Sequence, residues 1–314
     1  MTAGRGTGPS TPSPRRVIRL ATRSSPLAVW QAEHVAAGLR AAHPGLEVEL
    51  VRTDTLGDRR LDVPLSELGG KGVFATEVQR LVLDGRADAA VHSAKDLPAV
   101  TAPGLALAAL PERGDARDAL VGGRLDALPA GATVATGSQR RRVQLLERRP
   151  DLAVVGLRGN MATRLAAVGA EREGRTVDAV VAAAAALQRL GLHDRIDEVL
   201  GADAIVPQVG QGALAVEVRS GDDAATALVA ALDHPATRTS VEAERAFLAE
   251  LGGDCDLPAG AHAAPPAPDG SVTLSAVLAA PDGTVHRRRG TDRDPHALGV
   301  RLARDLRAAL GAAP

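Results

Sequence analysis

The chain has 314 residues, enough for two or three α/β units rather than a single core. Its 37 Lys and Arg nearly balance 38 Asp and Glu, giving a net charge of -1, which excludes the broad basic footprint of a nucleic-acid-binding surface. Trp30, Phe74 and Phe247 are the only aromatic residues besides histidine, so base stacking and aromatic cofactor cages are excluded and recognition falls to charge and hydrogen bonds.

Residues 1–15, rich in Gly, Pro, Ser and Thr, read as a disordered tail. VIRLAT (17–22) is a short apolar strand. After Arg23-Ser24-Ser25 a helix begins at Pro26, whose missing N–H suits a first helical position, with Leu27, Trp30, Val35 and Leu39 inward. LEVELV (46–51) is the next strand, GGKG (69–72) leads into a helix with Phe74, Val78, Leu81 and Val82 inward, and ADAAVHS (87–93) is a third strand. The pattern restarts near residue 113 with the strand ATVATGS (132–138), the helix QRRRVQLLERR (139–149) and the strand LAVVGL (152–157). A helix with Met161, Leu165 and Val168 on one side follows, and AIVPQVGQGALAVEV (204–218) reads as a return segment between the two units. Alternating strands and helices predict an α/β fold with two parallel sheets and crossover helices. Beyond residue 235 come a helix (236–251), a cysteine-bearing loop, a hairpin around Pro281-Asp282-Gly283 and a final helix with Leu298, Leu302 and Leu306, a small α+β third unit.

Arginine recurs where a strand gives way to a helix: Arg23 beside Ser24 and Ser25, Arg140 to Arg142 after Thr136-Gly137-Ser138, and Arg158 with Arg164 around Gly159-Asn160. Cations oppose the helix dipole there, so three such junctions point to an anionic ligand held by guanidinium forks and helix N–H groups. Each junction alone reads equally as solvated surface charge. VHSAKDLP (91–98) sets His92, Ser93, Lys95 and Asp96 at a strand's C-terminal end, where open α/β sheets place ligand-handling groups. Asp96 is the candidate electrostatic or acid/base group, although Lys95-Asp96 alone reads as an ion pair and His92 alone as a structural histidine.

Cys255 is the single cysteine; it allows no intramolecular disulfide and fits a reducing compartment, so a cytoplasmic protein is expected. It sits in the Gly- and Pro-rich LGGDCDLPAG, which favours an exposed nucleophile or attachment site over a buried thiol, while Asp254 and Asp256 disfavour a thiolate. GGKG and GQG match neither nucleotide-loop spacing, no cluster has metal-ligand spacing, and no apolar run approaches a spanning helix of about 18 residues.

RLATRSSPLAVWQA, GGKGVF, VHSAKDLP, ERRPDLAVVGLRGNMATRL, VPQVGQGALAVE and the cysteine loop together resemble, in order, the hydroxymethylbilane synthases (porphobilinogen deaminases), over residues 17–310. The resemblance implies two periplasmic-binding-protein-like domains with a central cleft, 16–111 plus 212–232 and 112–211, and a small α+β domain, 233–314, carrying the cofactor cysteine. It implies a transferase that joins four porphobilinogen molecules head to tail, with loss of ammonia, on a dipyrromethane held by Cys255 through a thioether, and releases a linear tetrapyrrole. Asp96 matches the catalytic aspartate. Ser93, Lys95, Thr136, Ser138, Arg140 and Arg141 match cofactor-binding positions. Arg23, Ser25, Gln31, Lys71, Phe74, Arg158, Arg164 and Gln211 match positions that hold substrate and the growing chain. A cytoplasmic monomer with a small-molecule substrate, and with no metal, membrane or nucleic-acid partner, is implied. The chain departs from the family pattern at Glu67, Gly137 and Asp254, which leaves open a weakened member that binds tetrapyrrole precursors.

Overall fold

The computed structural model describes residues 17–54, 75–252 and 257–311. The expectations for the tail, Lys71, Phe74 and Cys255 lie outside the described residues.

The chain begins with β1 (Val17–Arg23), α1 (Pro26–Ala42), β2 (Glu47–Thr53), α2 (Thr76–Leu83), β3 (Ala89–Ser93) and β4 (Leu105–Ala109). It continues with β5 (Asp118–Val121), β6 (Thr133–Ala135), α3 (Gln139–Arg148), β7 (Ala153–Val155), α4 (Met161–Leu165) and the small hairpin β8 (Glu171–Arg172) to β9 (Arg175–Thr176). Next are β10 (Ala179–Ala183), α5 (Ala184–Arg189), β11 (Glu198–Leu200), β12 (Leu214–Arg219) and α6 (Asp223–Ala230). The final group is α7 (Pro235–Glu250), β13 (Ala259–Ala263), β14 (Val272–Ala279), β15 (Val285–Asp292) and α8 (Pro295–Gly311).

The first sheet has the order β2-β1-β3-β12-β4 and the second β11-β5-β10-β6-β7. Both are mixed, which corrects the expectation of parallel sheets. β1 runs parallel to β2 and β3, but β12 is antiparallel to β3 and β4; β6 runs parallel to β7 and β10, but β5 is antiparallel to β10 and β11. Parallel neighbours need a crossover helix, and the chain crosses from β4 to β5 and from β11 to β12 without an α-helix between them. These two crossings, 110–117 and 201–213, run side by side between the sheets.

Strands of the sheet centres carry small apolar residues on both faces, so β10 (AVVAA) is buried throughout and reads as a continuous apolar run. On α1 the buried stripe is Ala28, Gln31, Ala32, Val35, Ala36 and Leu39. Trp30 was expected inward but is 37% exposed, because it lies two residues from both Ala28 and Ala32, on the far side of a 3.6-residue turn. The helix expected to carry Met161, Leu165 and Val168 is only five residues long and ends before Val168. In the third sheet β13-β14-β15, all antiparallel, Leu274, Ala276 and Leu278 pack with Phe247 of α7 and Leu298, Leu302 and Leu306 of α8.

Candidate functional site

The three arginine-bearing junctions converge on the cleft between the first two sheets. At the first, β1 ends in Arg23 and Ser25 caps α1, its Oγ accepting from the Ala28 N–H at 3.4 Å. At the second, Ser138 Oγ accepts from the Arg141 N–H at 3.4 Å to cap α3, and Thr136 Oγ1 accepts from the Ser138 N–H at 3.2 Å. At the third, Asn160 Oδ1 accepts from the Thr163 N–H at 3.0 Å. Each capping serine still has its O–H to donate.

On the first sheet, β3 delivers Ser93, and a single helical turn, Ala94–Asp96, follows it. Arg23, Gln31, Ser93 and Asp96 line one recess. His92 belongs to the scaffold: it is buried with Nε2 3.2 Å from Glu217 Oε2, an oxygen that accepts a hydrogen bond from Gln79 Nε2 at 2.8 Å. The structural choice left open for His92 is therefore the one taken.

The returning crossing closes on this turn. Gly210, at φ +70, packs so tightly that a Cβ would sit 3.0 Å from the Ala94 carbonyl carbon, so a side chain there would push the two segments apart. Gln208 Nε2 donates to Lys95 O at 3.2 Å, and Lys95 Nζ donates to Gln211 Oε1 at 3.3 Å. Gln211 Nε2 in turn donates to Asp118 Oδ1 at 2.8 Å, at the start of β5 in the second sheet. Asp118 is fully buried and also takes Arg140 Nη1 at 2.9 Å and Arg141 Nη2 at 2.7 Å. Burial opposes its ionisation, but the two guanidinium groups hold its carboxyl far below the usual carboxylate range. Burial pushes the Lys95 ammonium down to about 8, against the attraction of Asp96 and Asp118 and helped by Arg141 and Arg164. Burial also lowers Arg164 to about 10, with Arg141 and Arg158 adding repulsion and Asp96 opposing it. Asp96 from one sheet thus faces Lys95 beside it and Arg164 from the other.

Arg140 is only 3% exposed, and its Nε and Nη2 have no hydrogen-bond partner. These atoms form the edge of a guanidinium that grips a carboxylate through two bonds. Buried donors left open are costly, so this edge could seat an anionic group.

A family model described as porphobilinogen deaminase, dipyrromethane cofactor binding domain, matches residues 18–227, and a second, porphobilinogen deaminase, C-terminal domain, matches residues 238–308. The chain belongs to the porphobilinogen deaminase family. Its activity is that of a hydroxymethylbilane synthase, a transferase of tetrapyrrole biosynthesis acting on a small molecule, and its cofactor is dipyrromethane. Among solved structures, similarity extends to the periplasmic domain of BvgS from B. pertussis (19% identity, 69% of this chain and 39% of that one, TM-score 0.38). It extends also to a YaeC-family lipoprotein from Enterococcus faecalis V583 (13%, 70% and 92%, TM-score 0.40) and to an arginine-specific periplasmic binding protein from Salmonella typhimurium (15%, 69% and 91%, TM-score 0.36).

The residues present fit a cofactor that carries carboxylates: the open Arg140 edge, the Ser138 hydroxyl and the Lys95 ammonium are donors that could hold them. Gly137, where the family pattern carries serine, lies where a Cβ would fall 2.5 Å from Leu157 O, so the backbone there runs too close to the end of β7 for a side chain. One site residue escaped the sequence: Asp118, whose only signal is an acid opening the otherwise apolar strand DALV. Arg189, also unforeseen, belongs to the scaffold beside the site: it donates from Nη2 to Gly212 O at 2.6 Å, lies 5.5 Å over the Trp30 ring, and is lowered by burial to about 10. Its place at the end of α5 carried no sequence signal.

Proposed function

We propose that this chain binds dipyrromethane covalently at Cys255, adds four porphobilinogen units head to tail with Asp96 as the catalytic group, and releases hydroxymethylbilane by hydrolysis. The observation that carries the site assignment is the buried, open Nε/Nη2 edge of Arg140, at the end of a cationic row that leads through Lys95 to Asp96. When bound, dipyrromethane supplies the pyrrole carbon from which the chain grows. Arg140, Ser138, Thr136 and Lys95, backed by Arg141, hold its carboxylates. Arg23, Ser25, Gln31, Arg158 and Arg164, with Lys71, hold the two carboxylates that each porphobilinogen brings, while Gln211 lines the cleft and Phe74 covers the substrate. Asp96 accepts hydrogen bonds from pyrrole N–H groups and stabilises the cationic azafulvene that porphobilinogen forms as ammonia leaves. Ser93 shares the Asp96 recess and binds the cofactor there.

The division into 16–111 plus 212–232, 112–211 and 233–314 follows sheet membership and gives one cleft between the first two domains. We place the protein in the cytoplasm as a monomer; among the described residues no helix is long and apolar enough to cross a membrane.

The decisive measurement is intact mass. The native chain should exceed its sequence mass by one dipyrromethane, and Cys255→Ser should show no excess; an unmodified native chain overturns the attachment. Arg158→Ala and Arg164→Ala should arrest elongation, visible as covalent intermediates that persist, whereas unchanged kinetics and intermediates would count against the carboxylate cradle.

Lys95 gives the reaction an alkaline limit. Its folded pKa is depressed to about 8, so the charged form is present below that pH and disappears as pH rises through it. The pH profile of kcat/KM should therefore fall above about 8, and Lys95→Arg, whose guanidinium keeps its proton, should shift that limb upward. A limb unmoved in Lys95→Arg assigns it to another group.

A further inference from the structure

Asp118 divides the labour between two neighbouring arginines. Arg141 donates from both Nε (3.1 Å) and Nη2 (2.7 Å) to Asp118 Oδ1, and from Nη1 to Val181 O at 3.0 Å, so its carboxylate-gripping edge is already closed on the protein. Arg140 engages through Nη1 alone, to Asp118 Oδ2 at 2.9 Å and Val206 O at 2.6 Å, and leaves the Nε/Nη2 edge open. Gln144 fixes the same corner, accepting from the Val206 N–H at 2.8 Å. The Arg140 side chain also passes Gly260 of β13, where a Cβ would lie 2.9 Å from Arg140 Cδ, so the third sheet makes room for this arginine by carrying no side chain there. Through Gln211, Asp118 reaches Lys95 in the first sheet.

We infer that Asp118 is a positioning residue for the tetrapyrrole-building reaction: by closing Arg141 and gripping only Nη1 of Arg140, it presents the Nε/Nη2 edge of Arg140 to a ligand carboxylate, and through Gln211 it sets Lys95. This rests on the cofactor assignment above. A carboxylate is required for it. A neutral amide cannot balance two adjacent guanidinium groups, and Arg140 is then free to turn its open edge toward other acceptors.

The test is a double-variant cycle on the full chain, read as the rate at which unloaded protein gains the cofactor mass from porphobilinogen. Asp118→Asn should slow loading by about tenfold or more in the native background, and by several-fold less in the Arg140→Lys background, because most of its effect passes through that arginine and only the remainder through Gln211 to Lys95. A residue that merely supports the fold would show the same loss in both backgrounds, and that result overturns the inference. Normal loading in Asp118→Asn beside impaired loading in Arg140→Lys also overturns it while leaving the carboxylate cradle standing. Normal loading in Arg140→Lys brings down the cradle itself. If Asp118→Asn does not fold, exchange of the arginine Nε protons decides: in the native sequence Arg141 should be protected with or without cofactor, and Arg140 only with it. Equal responses from the two arginines refute the division.

Discussion

Asp96→Ala should keep its cofactor mass yet consume porphobilinogen roughly 10²- to 10³-fold more slowly, the loss typical of removing one group that faces developing charge. The reason is placement. Asp96 ends the turn after β3, shares a recess with Arg23, Gln31 and Ser93, and has Lys95 and Arg164 as neighbouring cations. The cations attract porphobilinogen carboxylates but oppose formation of a positively charged azafulvene, so the carboxylate that lines this recess is expected to carry the stabilisation of that species. Asp96→Asn separates charge from shape: it keeps the volume and one acceptor, and should be nearly as slow as alanine. Asp96→Glu keeps the charge and should recover part of the rate. Ammonia release followed alongside intact mass checks all three. A rate for Asp96→Asn within about threefold of the native one would remove the electrostatic role.

What the sequence made legible was governed by range. Helix starts are local events: the helices expected from Pro26 and from Gln139 begin there, and in each a serine just before the start caps it across three residues. The position of Asp96 after a strand was likewise local. Strand direction was not, since it depends on which sheet the chain has just left; β5 and β12 arrive from the other sheet and run against their neighbours. The anionic-ligand argument from three arginine junctions was incomplete for the same reason. Part of the charge on Arg140 and Arg141 is offset by Asp118, 22 and 23 residues earlier, and no local pattern links them. Arg142, in the same run, turns away to donate to Val154 O at 2.6 Å. Trp30 misled because apolar character alone was read as an inward direction, whereas the stripe of alanines beside it sets the buried face of α1. The family resemblance assigned roles to residues; the geometry adds which donors of those residues are still open.

Glu244→Ala should cost roughly 3 to 5 kcal/mol of stability at neutral pH, the usual result of leaving one member of a buried ion pair uncompensated. Glu244 lies on α7, fully buried, where it accepts from Arg113 Nη1 at 2.6 Å and Nη2 at 3.1 Å, from the Gly210 N–H at 2.7 Å and from the Ala263 N–H at 2.8 Å. Arg113 belongs to one crossing, Gly210 to the other and Ala263 to the third sheet, so one carboxylate on α7 ties both crossings to the third sheet. Arg113 Nε also holds Gln211 O at 2.9 Å, which places the residue that bridges Lys95 and Asp118. Burial alone would raise the carboxyl of Glu244, but the Arg113 guanidinium, with His262 Nδ1 3.6 Å away, holds it down to about 2 from 4.5. A depressed acid contributes stability that is complete above its unfolded value and is lost as pH falls through the folded one. The native protein should therefore lose stability between pH 4.5 and about 2, and Glu244→Gln should flatten that part of the profile. Replacing both partners, Arg113→Met with Glu244→Met, should restore much of the stability because no charge is left buried alone. Activity should stay low in that double variant, since Gln211 O and the Gly210 N–H have lost their partners. Denaturation midpoints measured from pH 2 to 7 beside porphobilinogen turnover separate the two consequences. A Glu244→Ala chain within about 0.5 kcal/mol of the native one would show that this carboxylate does not fasten the crossings.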